Sequence, residues 1–343
     1  MSARPHIAET HEQAAPAAST PPRRALSVLD LIGNTPLVEI ARLRAAFRTK
    51  QGRAISPKVR IYAKLEGFNP GGSVKDRPAL WMLREGIRAG QLTAGKVVLD
   101  STSGNTGIAL AMIGAVMGYA VELVMPANVS RERKKIIGAY GAQIHYSDQL
   151  EGSDGAIRMC RKVLAENPER YFKPDQYSNV NNPQAHYDST GPEIYCATNA
   201  GVTHFVASIG TGGTIMGTGR YLKAQNPKIQ IIAVEPDDAL HGLEGLKHMA
   251  SSIVPSIYHE QELDRKVGVG TEDAYDTVYR LSTQEGLVVG QSSGAAMWAT
   301  LQVAAELDEG VFVVIFPDFG DKYLSTNLWA GWKDWHQRER RQA

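Results

Sequence analysis

The strongest constraint on this chain is the way short β-branched runs alternate with helical stretches along most of its length. Candidate strands are Val59–Lys64, Val97–Asp100, Val121–Met125, Gln143–Tyr146, His204–Ile209, Ile229–Val234 and Val311–Phe316. Between them one helix follows Ser73 and stops at Gly90, with apolar positions Leu80, Leu83 and Ile87 on one face. Others run from Thr106 to Met117, from Ser130 to Gly141, and onward from about Pro183. Strands joined by crossover helices form mainly parallel sheets covered on both faces. The 343 residues and the strand count suit two such α/β units, residues 26–182 and 183–334, with segment 59–66 able to cross into the other sheet. Residues 1–25 read as a disordered tail rich in Ala, Pro and Thr, and the polar 335–343 as a fraying end.

Several function classes are disfavoured. Lys plus Arg number 37 against 36 Asp plus Glu, so no basic excess is available to hold a phosphate backbone. The cluster Arg131, Arg133, Lys134, Lys135 after the N-cap residue Ser130 reads as the solvated face of a helix. Two cysteines, Cys160 and Cys196, cannot build a disulfide framework, and no histidine pair has metal-ligand spacing, so no metal site is expected. The longest apolar stretch, Gly107 to Ala127, is broken by Gly114, Gly118 and Glu122, which suits a buried helix and strand rather than a membrane span. Without the order of a signal peptide at its start, the chain is expected in the cytoplasm.

Four segments place glycines and small hydroxyls at helix starts, where free N–H groups attract anions. Ser208-Ile209-Gly210-Thr211-Gly212-Gly213-Thr214 can cradle a phosphate. It lacks the third glycine of a dinucleotide fingerprint and the Gly-Lys-Ser/Thr of a P-loop. In Gly71-Gly72-Ser73-Val74-Lys75-Asp76-Arg77-Pro78, Ser73 and Asp76 have capping-box spacing. Lys75 falls in a first turn, where the macrodipole lowers its proton affinity and favours a nucleophile or base. Ser101-Thr102-Ser103-Gly104-Asn105-Thr106-Gly107 suits a carboxylate, and Gly290-Gln291-Ser292-Ser293-Gly294 adds a hydroxyl. Each alone reads equally as a turn or a cap. Together they supply a phosphate cup, an amine, a carboxylate site and a hydroxyl.

With these residues the chain resembles the cysteine synthase and cystathionine β-synthase family of fold type II pyridoxal-phosphate enzymes, built like the tryptophan synthase β chain. The resemblance runs from Leu31-Ile32-Gly33-Asn34-Thr35-Pro36-Leu37 to Asp318-Phe319-Gly320-Asp321-Lys322-Tyr323-Leu324-Ser325. It implies that Lys75 forms the Schiff base with pyridoxal 5′-phosphate and that Asn105 bonds the cofactor's phenolic oxygen. Gly210, Thr211, Gly212, Gly213 and Thr214 would hold its phosphate, and Ser292 its ring nitrogen. Thr102, Ser103, Thr106 and Gln176 would grip the substrate carboxylate. One departure is Asp100-Ser101 where the family often has Glu-Pro or Glu-Ala, a change able to loosen the loop's approach.

The implied reaction is the replacement of the β-substituent of O-acetyl- or O-phospho-L-serine by sulfur, through an α-aminoacrylate, to give L-cysteine. Gly242-Leu243-Glu244-Gly245-Leu246-Lys247-His248-Met249 and Val254-Pro255-Ser256-Ile257-Tyr258 resemble the cysteine synthase B and O-phosphoserine sulfhydrylase branch. Arg220 is a candidate for a substrate phosphate, and equally a solvated helix arginine. Small-molecule substrates and a homodimer are expected, and a sulfur-carrier protein is one sulfur source the resemblance allows. The alternative is a cystathionine β-synthase acting on serine and homocysteine. A non-catalytic sensor on the same fold is remoter, because the lysine and the carboxylate loop are both present.

Overall fold

The computed structural model describes residues 25–102 and 104–342. The expected tail, up to Arg24, lies outside the described residues, as does Ser103. Among the described residues ten strands form: β1 (Leu37–Glu39), β2 (Val59–Leu65), β3 (Val97–Ser101), β4 (Val121–Pro126), β5 (Gln143–Ser147), β6 (Tyr171–Phe172), β7 (His204–Ser208), β8 (Gln230–Pro236), β9 (Arg265–Val269) and β10 (Gly310–Phe316). They make two sheets, ordered β1-β2-β10-β7-β8-β9 and β5-β4-β3-β6. Every pairing is parallel except β1 with β2. The smaller sheet therefore comes wholly from residues between β2 and β7, while β2 itself lies in the larger sheet beside β10.

Burial on both faces explains why the interior strands β3, β4, β8 and β10 read as nearly continuous apolar runs. Along β10, Phe312, Val314 and Phe316 enter one core, and Val313 and Ile315 enter the other. In the smaller sheet Val98, Leu123 and Met125 face the core beneath the helix Asn105–Met117. Leu99 and Val124 face the helix Gly152–Glu166, packing with Ala156 and Cys160. The period of two along each strand is what divides the residues between the cores. Among the described residues no helix is long and apolar enough to cross a membrane.

Two expectations need correction. The helix Arg131–Ala139 does not leave its whole basic cluster in solvent: Arg133 is buried, pairs with Glu244 and stacks over the Tyr323 ring at 4.6 Å. It sits one helical turn before the fully buried Ile137, on the same face. Nor does the C-terminal segment fray from residue 335, because Trp335 lies within the helix Trp332–Gln342 and is buried. Its indole donates to Asp276, and its ring packs beside Tyr279.

Candidate active site

The site is assembled where loops leave the carboxyl ends of β3, β7 and β10, the crevice an open parallel sheet offers to ligands. It is a cavity of about 690 Å³ lined by Lys75, Thr102, Asn105, Thr106 and Gln176, with Gly210, Thr211, Thr214 and Ser292 among the other walls. The structure thus brings together four loops that are far apart in sequence. Gly212 and Gly213 shape the cup from behind, Gly212 through a left-handed φ of 86°.

Lys75 caps the helix Asp76–Arg88 and lines the cavity. Burial lowers the pKa of its amine, while the charges of Asp318 and Glu66 act in the opposite sense. Its loop is built differently from the expected capping box. The Ser73 hydroxyl accepts from the Lys75 N–H at 3.2 Å, and the Asp76 carboxylate turns back to accept from the Gly71 N–H at 2.5 Å. Two residues beyond Lys75, the guanidinium of Arg77 is fully buried between Glu66, at 2.7 and 2.8 Å, and Glu193, at 2.7 and 2.8 Å. Lys64 pairs with Glu193 at 2.7 Å. Burial alone would raise the Glu66 carboxyl, but the charge and hydrogen bonds of Arg77 hold it down at about 2. This charged knot fixes the first turn that carries Lys75.

The loop after β3 is held from within and from below. The Thr102 hydroxyl accepts from the N–H groups of Gly104 and Gly107 at 3.0 and 3.2 Å, leaving its own proton to donate. Thr106 donates to Gln176 at 2.7 Å, and Gln176 donates to the Ser101 carbonyl at 2.8 Å. Asp100 does not loosen this loop: its carboxylate accepts from the Ser101 N–H at 2.8 Å and from the Gln176 N–H at 3.4 Å. Burial pushes that carboxyl up to about 6, against the opposing charge of Lys173.

The cup after β7 accepts no side chain at its glycines. A Cβ on Gly210 would stand 2.4 Å from the Gly245 carbonyl oxygen, and one on Gly213 would stand 1.9 Å from Asn182 Oδ1. Behind the cup lies His186, whose ring nitrogens meet the hydroxyls of Thr190 at 2.9 Å and Thr214 at 3.3 Å. Burial lowers its pKa to about 3, so the imidazole is neutral. Asn182, His186 and Asp318 escaped the sequence reading of site roles.

Arg220 is the expected site residue that the fold places elsewhere. It lies beyond the cavity on the helix Gly213–Gln225 and forms a two-pronged pair with Glu262 at 2.7 and 2.8 Å. A carboxylate satisfies the guanidinium there, so it is not presented to a phosphate in the cavity.

The donor set fits pyridoxal phosphate. No hydrogen bond or ion pair of the Lys75 amine occurs among the described residues, so it projects into the cavity uncommitted. The glycine cup, at the start of a 13-residue helix, offers backbone N–H groups and two hydroxyls to a phosphate. Ser292 presents a neutral hydroxyl on the remaining wall.

The chain is similar to known proteins over most of its length. Residues 28–318 match the family described as pyridoxal-phosphate dependent enzyme. A cysteine synthase of Aquifex aeolicus is 54% identical over 308 residues, which is 89% of this chain and 92% of that protein. A cysteine synthase B of Pseudomonas aeruginosa is 42% identical over 303 residues, covering 88% and 97%. Among solved structures, a cysteine synthase of Entamoeba histolytica superposes with a TM-score of 0.85 at 37% identity, covering 93% of this chain and 94% of the other.

Proposed function

The chain belongs to the family of pyridoxal-phosphate-dependent enzymes, and on that premise we propose that it makes L-cysteine from an O-activated L-serine by exchanging the β-substituent for sulfur. The observation that carries this reading is the meeting of Lys75, the Thr102–Thr106 loop, the glycine cup and Ser292 in one cavity. The similarity to cysteine synthases over about nine-tenths of the chain supports it.

When bound, pyridoxal phosphate supplies the electron sink that allows a β-substituent to leave. The chain's own residues do the rest. The first-turn N–H groups behind Gly212, with the Thr211 and Thr214 hydroxyls, hold the phosphate end. Thr102, Thr106 and Gln176 receive the substrate carboxylate and so fix which bond at Cα lies towards Lys75. The Lys75 amine, its proton affinity lowered by burial, removes the Cα proton as general base. Ser292, on the cavity wall, would offer the ring nitrogen of a bound cofactor a hydroxyl instead of a carboxylate, and a neutral partner there would favour prompt loss of the β-group. Ser292→Ala with unchanged activity would remove this last argument.

The reading includes a homodimer in the cytoplasm acting on small-molecule substrates, with free sulfide or a sulfur-carrier protein as donor. Size-exclusion chromatography with light scattering tests the dimer.

The visible spectrum of the holoenzyme, before and after O-acetyl-L-serine or O-phospho-L-serine without a sulfur donor, tests the chemistry. A red shift with either ester, reversed by sulfide with release of cysteine, is the expected result, and the better ester identifies the leaving group. No change with either ester, but turnover of serine with homocysteine, would replace this reading with a cystathionine synthase.

A further inference from the structure

Asn105 does not stand alone in the cavity wall. Its amide nitrogen donates to Asp318 Oδ2 at 2.6 Å, and its carbonyl oxygen accepts from Lys322 Nζ at 3.3 Å. Both partners are buried. A flipped amide would set its oxygen against a carboxylate and its N–H groups against an ammonium, so the two charges admit a single orientation. One N–H is consumed by Asp318, and the second remains for an acceptor in the cavity.

Asp318 is itself held from several sides. Tyr323 donates to its Oδ2 at 2.8 Å, and an Arg133 nitrogen lies 4.0 Å from the same oxygen. Its other oxygen, Oδ1, has no hydrogen-bonding partner among the described residues and lies against Gly290, where a Cβ would be 2.1 Å away. The backbone at this point ties down the other two loops. The Asp318 carbonyl accepts from the Gly290 N–H at 3.2 Å, and the preceding Pro317 carbonyl accepts from the Val74 N–H at 2.9 Å. Lys322 meanwhile donates to the Gly71 and Gly72 carbonyls at 3.0 and 2.8 Å. One short segment after β10 thus reaches the loop of Lys75, the turn of Ser292 and the amide of Asn105.

We propose that Asp318 is a positioning residue that, together with Lys322, locks the Asn105 amide in the one orientation that aims an N–H at the bound cofactor's ring oxygen. The inference rests on the proposed function only in taking pyridoxal phosphate as the cavity's occupant. Asp318 touches neither substrate nor cofactor on this account, and its effect passes through Asn105. Losing the carboxylate charge frees the amide to rotate, and the cofactor then loses a donor whose direction was set in advance.

The test is a double-mutant cycle read as the dissociation constant of pyridoxal phosphate for the full-length apoprotein, followed by tryptophan fluorescence. Asp318→Asn and Asn105→Ala are each expected to weaken binding about tenfold, and the double variant also about tenfold instead of a hundredfold. Asp318→Asn should in addition displace the holoenzyme's visible absorbance maximum, which a purely structural defect would leave in place. Asp318→Asn binding like wild type, or losses that multiply in the double variant, would overturn the proposal. Should Asp318→Asn not fold, Lys322→Met removes the other half of the lock and must show the same non-additivity with Asn105→Ala. Wild-type apoprotein that fails to take up the cofactor would instead overturn the proposed function.

Discussion

Asn182 is packed against Gly213 so closely that a Cβ on the glycine would stand 1.9 Å from its Oδ1. The same amide donates through Nδ2 to the Gln176 carbonyl at 2.7 Å and to the Thr211 hydroxyl at 3.1 Å. It therefore ties the carboxylate side of the cavity to the phosphate side. Gly213→Ala must push this amide away, and over-packing of this kind costs about 1–3 kcal/mol. The expected outcome is at least about tenfold weaker retention of pyridoxal phosphate with a raised KM for the serine ester. Equilibrium dialysis of the holoenzyme, with steady-state kinetics, checks both.

The buried pair of Glu66 and Arg77 makes a second prediction. Removing one partner of a buried pair leaves the other charge poorly compensated, at about 3–5 kcal/mol. Glu193 still faces Arg77, so Glu66→Gln is expected to cost about 3 kcal/mol, measured by urea unfolding at neutral pH. The sign with pH follows from the lowered Glu66 carboxyl. Its stabilisation is full above its unfolded value of 4.5 and is lost as pH falls towards about 2. The difference between wild type and Glu66→Gln should therefore shrink across that window. A constant difference would mean that the pair is not what stabilises the turn.

How far the fold can be read in the residues depends on burial. The run Val311-Phe312-Val313-Val314-Ile315-Phe316 is apolar on both faces because β10 is central, between β2 and β7. By contrast β9, Arg265-Lys266-Val267-Gly268-Val269, is an edge strand whose outer positions face solvent, and no apolar run marks it. The Tyr171–Phe172 strand is too short to carry a period. Loop chemistry was legible wherever glycines and hydroxyls cluster at a helix start. The lock on Asn105 was not, because Asp318 and Lys322 lie more than 200 positions away and follow β10, a strand of the other sheet from the β3 that Asn105 follows. Arg133 was misread for a simpler reason. Its basic neighbours suggested solvent, whereas its spacing from Ile137 places it on the buried face.

Arg220 yields a negative prediction. Its guanidinium is matched by Glu262 in a partly exposed pair, outside the cavity wall. Arg220→Ala should leave kcat/KM for O-phospho-L-serine and O-acetyl-L-serine unchanged within about twofold. The loss in stability should be about 0–1 kcal/mol, as for other exposed pairs. A selective loss of O-phospho-L-serine turnover would return this residue to the site.

The last prediction concerns Asp76, next to Lys75 in sequence. Burial raises its carboxyl to about 7, against the hydrogen bond from Gly71 and the charge of Lys322, and its Oδ1 has no partner among the described residues. In the unfolded chain the same group titrates near 3.8. Between these values the folded protein holds a proton that the unfolded chain has released, so stability falls as pH rises from about 4 to about 7. Asp76→Asn keeps an oxygen for the Gly71 N–H and removes the titration. Its urea midpoint should vary less with pH over that interval and should exceed that of wild type at pH 8. If the two proteins instead follow parallel curves from pH 4 to pH 8, the carboxyl is ionised throughout, and the Lys322 ammonium would have to stabilise it more than burial opposes it.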